Sequence, residues 1–157
     1  MTLTAVVVDD EPLARRRLVR LLEAEPEVEV VAVCPNGREA VRAVREHRPG
    51  LLFLDVQMPE LDGFGVLREL EAEGLPQVVF VTAYDRYAIK AFEVHALDYL
   101  LKPYTPDRLK GTLRRALDGA AASGDGTARV IELLESLRGA QREGARAPGA
   151  ASAYLTR

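Results

Sequence analysis

The sequence predicts an α/β fold: a doubly wound parallel sheet of five strands, each followed by a helix. Three observations carry this. Short apolar runs rich in β-branched residues recur at near-even spacing, patterns of helical period fill the gaps, and helix start signals stand ahead of those patterns. The runs are Leu3–Val8, Val28–Val33, Leu51–Leu54, Val78–Val81 and Leu97–Leu101. Each is continuous rather than alternating, as expected of strands buried on both faces.

The helical stripes follow in order. Leu18, Leu21 and Leu22 form the first; Ala40, Val41 and Val44 the second; Val66, Leu67 and Leu70 the third. Ala88, Ala91 and Phe92 mark a fourth, and Leu109, Leu113, Ala116 and Leu117 a fifth. Pro12 suits a first helical turn, Asn36 with Glu39 reads as a capping box, and Asp62 and Asp85 stand where caps belong. Thr105-Pro106 is a cap followed by proline at the first helical position. Strands alternating with helices imply right-handed crossovers and helices on both faces of the sheet.

Length and composition agree. The 157 residues suffice for one domain with an appendage, and 48% hydrophobic with 29% charged residues is a globular balance. Net charge is −3; residues 1–126 hold 16 Lys/Arg against 21 Asp/Glu, and residues 127–157 hold 5 against 3. Neither segment has the basic footprint of a nucleic-acid-binding surface. Cys34 is the only cysteine, so no intramolecular disulfide forms, and its apolar surroundings suggest a buried, inert thiol. No run is long enough to span a membrane, and the N-terminus lacks a signal pattern. The expectation is a cytoplasmic protein without a membrane partner.

Organisation changes near residue 118. Residues 1–118 read as the domain, 119–126 as a small, polar hinge, and 127–143 as a linker helix. On that helix Val130, Leu133, Leu134 and Leu137 form one stripe, which needs a surface to cover. It could fold back onto the domain or pair with a second copy, and the homodimer is the expectation. Residues 144–157 read as a flexible linker leading into the first strand of a further, truncated domain.

Chemistry in an open parallel sheet gathers beyond the carboxyl ends of the strands, where strand order reverses. Asp9 and Asp10 follow the first run, Asp55 the third, Thr82 the fourth and Lys102 the fifth. Asn36, after the second run, reads only as a cap, which fits an edge strand in the order 2-1-3-4-5. Three crowded carboxylates repel unless a cation sits among them. Mg²⁺ fits, being hard, oxygen-seeking and content to keep waters and a phosphoryl oxygen. Asp9 and Asp10 then hold the metal, with Asp55 as third ligand and as nucleophile. Lys102 can pair with Asp55 and later with a phosphoryl oxygen, and Thr82 can donate to another. Taken singly, each of these residues is more often a cap, a turn residue or a surface charge. Their convergence on one rim in complementary types is what favours the site. His47 and His95 lack clustered partners, and Arg15, Arg16 and Arg17 read as a solvated helix face.

Four motifs in order carry a resemblance. Val7-Val8-Asp9-Asp10-Glu11, Leu54-Asp55-Val56-Gln57-Met58-Pro59-Glu60-Leu61-Asp62-Gly63, Val81-Thr82-Ala83 and Asp98-Tyr99-Leu100-Leu101-Lys102-Pro103 resemble the response-regulator receiver family over roughly residues 3–118. The resemblance implies the flavodoxin-like fold, Asp9 and Asp10 as Mg²⁺ ligands, Asp55 as phosphoacceptor and the Gln57 carbonyl as a further ligand. It also implies Thr82 and Tyr99 as a conformational switch, Lys102 as phosphate contact and a cis Lys102–Pro103 peptide. The run Thr82–Pro103 is similar to the LytTR class, in which a receiver precedes a mostly β DNA-binding domain, and Tyr154-Leu155-Thr156-Arg157 is similar to that domain's first strand. The function implied is phosphoryl transfer from a sensor histidine kinase to Asp55, controlling transcription through a DNA-binding domain that this chain lacks. It implies no turnover enzyme, only self-phosphorylation and slow autodephosphorylation.

Three rivals stand beside it. A haloacid-dehalogenase-type phosphatase would place its nucleophile after the first strand, in an Asp-x-Asp pattern, whereas Asp55 follows the third. A flavodoxin-like electron carrier needs a Ser/Thr/Gly-rich phosphate loop where Asp9-Asp10-Glu11 stands, and those acids would repel a flavin phosphate. A stand-alone docking receiver is opposed only by the LytTR-like end.

Overall fold

The computed structural model describes residues 2–119. Five strands alternate with five helices: β1 (Leu3–Val8), α1 (Pro12–Glu23), β2 (Val28–Cys34), α2 (Gly37–His47), β3 (Leu51–Leu54), α3 (Gly63–Leu70), β4 (Gln77–Thr82), α4 (Ala88–Glu93), β5 (Asp98–Leu101) and α5 (Pro106–Asp118). A single 3₁₀ turn, Glu71–Glu73, extends α3. All strand pairs are parallel, in the order β2-β1-β3-β4-β5. The doubly wound, flavodoxin-like sheet is therefore present, with the expected second strand at the edge.

Successive side chains of a strand point to opposite faces, so each central strand feeds two cores. Val6, Val8, Leu52, Leu54, Phe80 and Tyr99 face one side, packed against Val41, Phe64, Leu70 and Ala91. Ala5, Val7, Leu51, Phe53, Val79 and Val81 face the other, covered by Leu18 and Leu22 of α1 and Leu109 and Leu113 of α5. Each fully buried leucine here stabilises the fold by about 2 kcal/mol. Cys34 is buried at the end of β2, as its apolar run suggests.

Helix starts follow the local chemistry. Asn36 Oδ1 accepts from the Glu39 N–H at 2.9 Å while its amide donates to the Glu39 carboxylate at 3.0 Å. Asp62 accepts from the Gly65 N–H at 2.8 Å, and Thr105 from the Arg108 N–H at 3.1 Å, with Pro106 opening α5. Asp85 is not a cap. The loop after β4 turns once more before α4 begins, so Tyr87 is the preceding residue and Asp85 supplies its carbonyl to the Ala88 N–H. Leu117 also departs from its expected stripe, at 40% exposure. Gln77, the first residue of β4, donates its side-chain amide to the Ala116 carbonyl, one residue before Leu117.

Gly119 ends α5 in a left-handed conformation at φ 65°, a backbone that glycine adopts without strain. The rest of the expected hinge, the linker helix and the terminal segment lie outside the described residues.

Candidate functional site

Val8 and Leu54 are partners across the β1–β3 ladder, so the residues after them emerge side by side. The Asp55 N–H donates to the Val8 carbonyl at 3.1 Å, and the Asp9 N–H to Cys34 of the flanking strand at 3.1 Å. Asp9 and Asp55 are buried, at 4% and 6% exposure, while Asp10 faces solvent. Carboxylate oxygens of Asp9, Asp10 and Asp55 lie within 4.8 Å of one another. Among the described residues this is the group able to hold a metal ion, and neither histidine belongs to it.

Lys102 reaches across from the end of β5. Its Nζ stands 2.8 Å from Asp9 Oδ2, 3.4 Å from Asp55 Oδ2 and 3.4 Å from Glu11 Oε1. The Lys102–Pro103 peptide that follows is cis. Burial works against the lysine's charge, but the carboxylates of Asp55 and Asp9 outweigh it, and its ammonium is held above its usual range. Asp55 is pushed up to about 6: burial is the main cause and the charges of Asp9 and Asp10 add to it, while Lys102 opposes. Burial and the adjacent Asp9 raise Asp10 as well. One ammonium against several carboxylates leaves an excess of negative charge, which a hard divalent cation would relieve.

The glycine at the start of α3 fixes the floor of the site. A Cβ at Gly63 would stand 2.6 Å from the Asp55 carbonyl oxygen and 3.2 Å from Val56 Cα. Its absence lets the Gly63 N–H donate to the Val56 carbonyl at 2.8 Å, clamping the helix under the strand end that presents Asp55.

Thr82 ends β4 fully buried, and its hydroxyl accepts from the Tyr84 N–H at 3.4 Å. The Tyr99 ring is buried on β5, and its hydroxyl donates to the Tyr84 carbonyl. The two residues expected to form a switch thus both bond to the backbone of Tyr84. Gln57 lies two residues past Asp55, with its side-chain amide donating to the Tyr87 hydroxyl at 2.7 Å.

Several features escaped the sequence reading. Glu11 is a third partner of Lys102, and Arg15 is no free surface charge, since it donates to the Asp9 carbonyl at 2.7 Å. Arg17 donates to the Tyr104 carbonyl at 3.0 Å and covers that ring at 4.5 Å. The sequence marks Asp98 only as part of a motif. It is fully buried and binds Arg108 through both oxygens at 2.7 and 2.8 Å, Thr112 at 2.5 Å, Arg115 at 3.2 Å and the Tyr99 N–H at 2.8 Å. Burial alone would raise its pKa, yet the bonds and charge of Arg108, then Arg115, hold it down at about 2. The spacing Arg108, Thr112, Arg115 is one helix face, a signal visible in the sequence, but nothing there says which acid it meets.

The family model described as "Response regulator receiver domain" matches residues 5–114. The transcriptional regulatory protein BtsR of Salmonella typhi is 52% identical over 110 residues, covering 70% of this chain and 46% of that protein. An uncharacterized response regulatory protein of Vibrio cholerae is 45% identical over 141 residues, covering 87% and 54%. The chain therefore spans about half the length of the curated relatives it matches. Among solved structures, the REC domain of AraT, a response regulator from Geobacillus stearothermophilus, superposes with a TM-score of 0.70 at 30% identity, over 76% of this chain and 96% of that one.

Proposed function

This chain belongs to the response regulator receiver domain family, and on that premise we propose that Asp55 accepts a phosphoryl group and that the chain is the signal-receiving part of a LytTR-class transcription regulator. The observation that carries the reading is the placement of a buried Asp55 beside Asp9 and Asp10 with Lys102 Nζ between the carboxylates. A carboxylate oxygen of Asp55 attacks phosphorus while the bond from phosphorus to the donor's leaving atom breaks. The ionised carboxylate is the nucleophilic form, and burial beside Asp9 and Asp10 opposes that ionisation while Lys102 favours it. Lys102, already 3.4 Å from Asp55, neutralises charge on the incoming phosphoryl oxygens.

The acid set fits Mg²⁺: Asp9, Asp10 and Asp55 would hold it with the Gln57 carbonyl, and when bound it supplies charge neutralisation for the transferring phosphoryl group. The buried Thr82 hydroxyl accepts from the Tyr84 N–H, so a turn of that hydroxyl toward a phosphoryl oxygen would remove this acceptor. Tyr84 also holds the Tyr99 hydroxyl, which gives a direct route from a phosphoryl contact to the ring on β5. Phosphorylation then biases two arrangements of the loop after β4.

This reading makes the chain a phosphoprotein with self-phosphorylation and slow autodephosphorylation rather than a turnover enzyme. It is cytoplasmic, with a sensor histidine kinase as donor and DNA contacted only through a domain beyond this chain. Among the described residues no helix is long and apolar enough to cross a membrane. The Thr82–Pro103 run supports the LytTR assignment, and a match to transcriptional regulatory proteins about twice as long supports an output in transcription regulation. Pairing through the segment 127–143 is part of the proposal, checked by light scattering with and without a phosphoryl mimic.

The test is incubation with Mg²⁺ and acetyl phosphate, followed by intact-mass and peptide analysis. One phosphoryl group on Asp55, lost in Asp55→Asn, is expected. Undiminished labelling of that variant would overturn the assignment.

A further inference from the structure

We propose that Arg17 is a positioning residue for phosphoryl transfer: through Tyr104 it braces the loop that carries Lys102 toward Asp55. The inference rests on Asp55 being the phosphoacceptor. Arg15, Arg16 and Arg17 look alike in the sequence, yet Arg15 and Arg17 reach from α1 to the backbone at the rim of the sheet.

The lysine needs a brace because of where its strand lies. β1 and β3, whose ends present Asp9 and Asp55, are each flanked by strands on both sides. β5 is an edge strand, paired among the described residues only with β4. The Lys102 N–H donates to the Thr82 carbonyl at 2.8 Å, and the chain then leaves the sheet. Pro103 and Tyr104 alone separate Lys102 from Thr105, which caps α5.

Arg17 supplies the second hold. Its guanidinium donates to the Tyr104 carbonyl at 3.0 Å and covers the Tyr104 ring at 4.5 Å. Tyr104 is buried in the same core as Leu18 and Leu22 of α1, so the helix meets the loop through buried apolar packing and through a charged donor. Hydrogen bonds from a charged donor are stronger than neutral ones, and the cation–ring contact adds to this one.

Arg15 does the corresponding work for the acids, donating to the Asp9 carbonyl at 2.7 Å. One helix thus holds both partners of the ion pair between Lys102 Nζ and Asp9 Oδ2, which stand 2.8 Å apart. With that pair goes the placement of Nζ 3.4 Å from Asp55 Oδ2. Charge neutralisation of the phosphoryl oxygens depends on that placement. A displacement of about 1 Å in a positioned group costs up to about a hundredfold in rate. Arg17 is exposed and governs part of the loop's position, so a loss of about threefold to tenfold is expected when its charged donor is removed.

The experiment uses the full 157-residue chain with acetyl phosphate and Mg²⁺. Its only lysines are Lys90, Lys102 and Lys110, so isotope-labelled lysine gives side-chain magnetic resonance signals that can be told apart, with Lys102→Arg identifying that of Lys102. Arg17→Met is expected to move the Lys102 signal, to leave those of Lys90 and Lys110 in place, and to slow labelling of Asp55 by the factor given above. Arg17→Lys, which keeps a charged donor, is expected to recover part of both effects. Arg16→Met removes the same charge from the exposed neighbour and is expected to change neither. An unmoved Lys102 signal in Arg17→Met, or labelling at the parent rate despite a moved signal, would overturn the brace while leaving Asp55 as acceptor. Equal slowing by Arg16→Met would overturn it as well, because net charge alone would then account for the effect. Absence of label on Asp55 in the parent would overturn the acceptor reading, and the brace with it.

Discussion

Replacing Asp98 by asparagine keeps the volume of a fully buried side chain and removes its charge. The carboxylate accepts two bonds from Arg108, one from Thr112 and one from the Tyr99 N–H, with Arg115 alongside. Removing one member of such a buried pair costs about 3–5 kcal/mol. Arg108 and Arg115 keep a quarter to a third of their side chains exposed and can turn to water, so the lower end, about 3 kcal/mol, is expected. The pH dependence is a second handle. The folded pKa of about 2 lies below the ordinary 3.8, so the contribution is complete above pH 4 and is lost as pH falls through 2. That difference corresponds to about 2–3 kcal/mol. Urea titrations followed by far-ultraviolet circular dichroism, at pH 7 and between pH 5 and 2, measure both. The gap between parent and Asp98→Asn should be about 3 kcal/mol at pH 7 and should narrow by most of that on acidification. A gap under about 1 kcal/mol that does not change with pH would refute the reasoning, since a gap that small is typical of an exposed pair.

Asp55→Asn is expected to stabilise the protein in Mg²⁺-free buffer. Its folded pKa of about 6 exceeds 3.8, so the carboxylate destabilises the fold progressively as pH rises through 6. The cost reaches up to about 3 kcal/mol at pH 7, and urea midpoints of the two proteins should converge near pH 4. Asp10→Ala should leave the fold intact while weakening Mg²⁺ binding by calorimetry and removing most acetyl-phosphate labelling; unchanged affinity would mean Asp10 is not a ligand. Gly63→Ala places a methyl group 2.6 Å from the Asp55 carbonyl, so it should cost about 1–3 kcal/mol in urea and slow labelling of Asp55.

Much of this protein was legible before any coordinate. The two-faced strands write themselves as unbroken apolar runs, and the caps at Asn36, Asp62 and Thr105 are local bonds between near neighbours in the chain. The acids and Lys102 could be gathered because strand ends of a parallel sheet share one rim, which makes position along the chain a proxy for position in space. That proxy gathers Asp9, Asp10, Asp55, Thr82 and Lys102; the structure sets the three carboxylates within 4.8 Å of one another and Lys102 Nζ beside Asp9 and Asp55, while the Thr82 hydroxyl bonds to the Tyr84 N–H.

What chain position does not encode is the reach and direction of long side chains over long sequence separations. Asp85 looked like a cap because cap chemistry is common to turns, and only the extra turn before Ala88 decided otherwise. Arg15 looked solvated because its helix face is polar, yet it bends back to the Asp9 carbonyl. The pairing of Asp98 with Arg108 and Arg115, and of Gln57 with Tyr87, depends on how α5 and α4 settle on the sheet. A local pattern of residues determined the sheet and its chemical rim. Only packing among distant segments selected which charges are buried as partners, because that choice balances desolvation against geometry that exists only in the folded state.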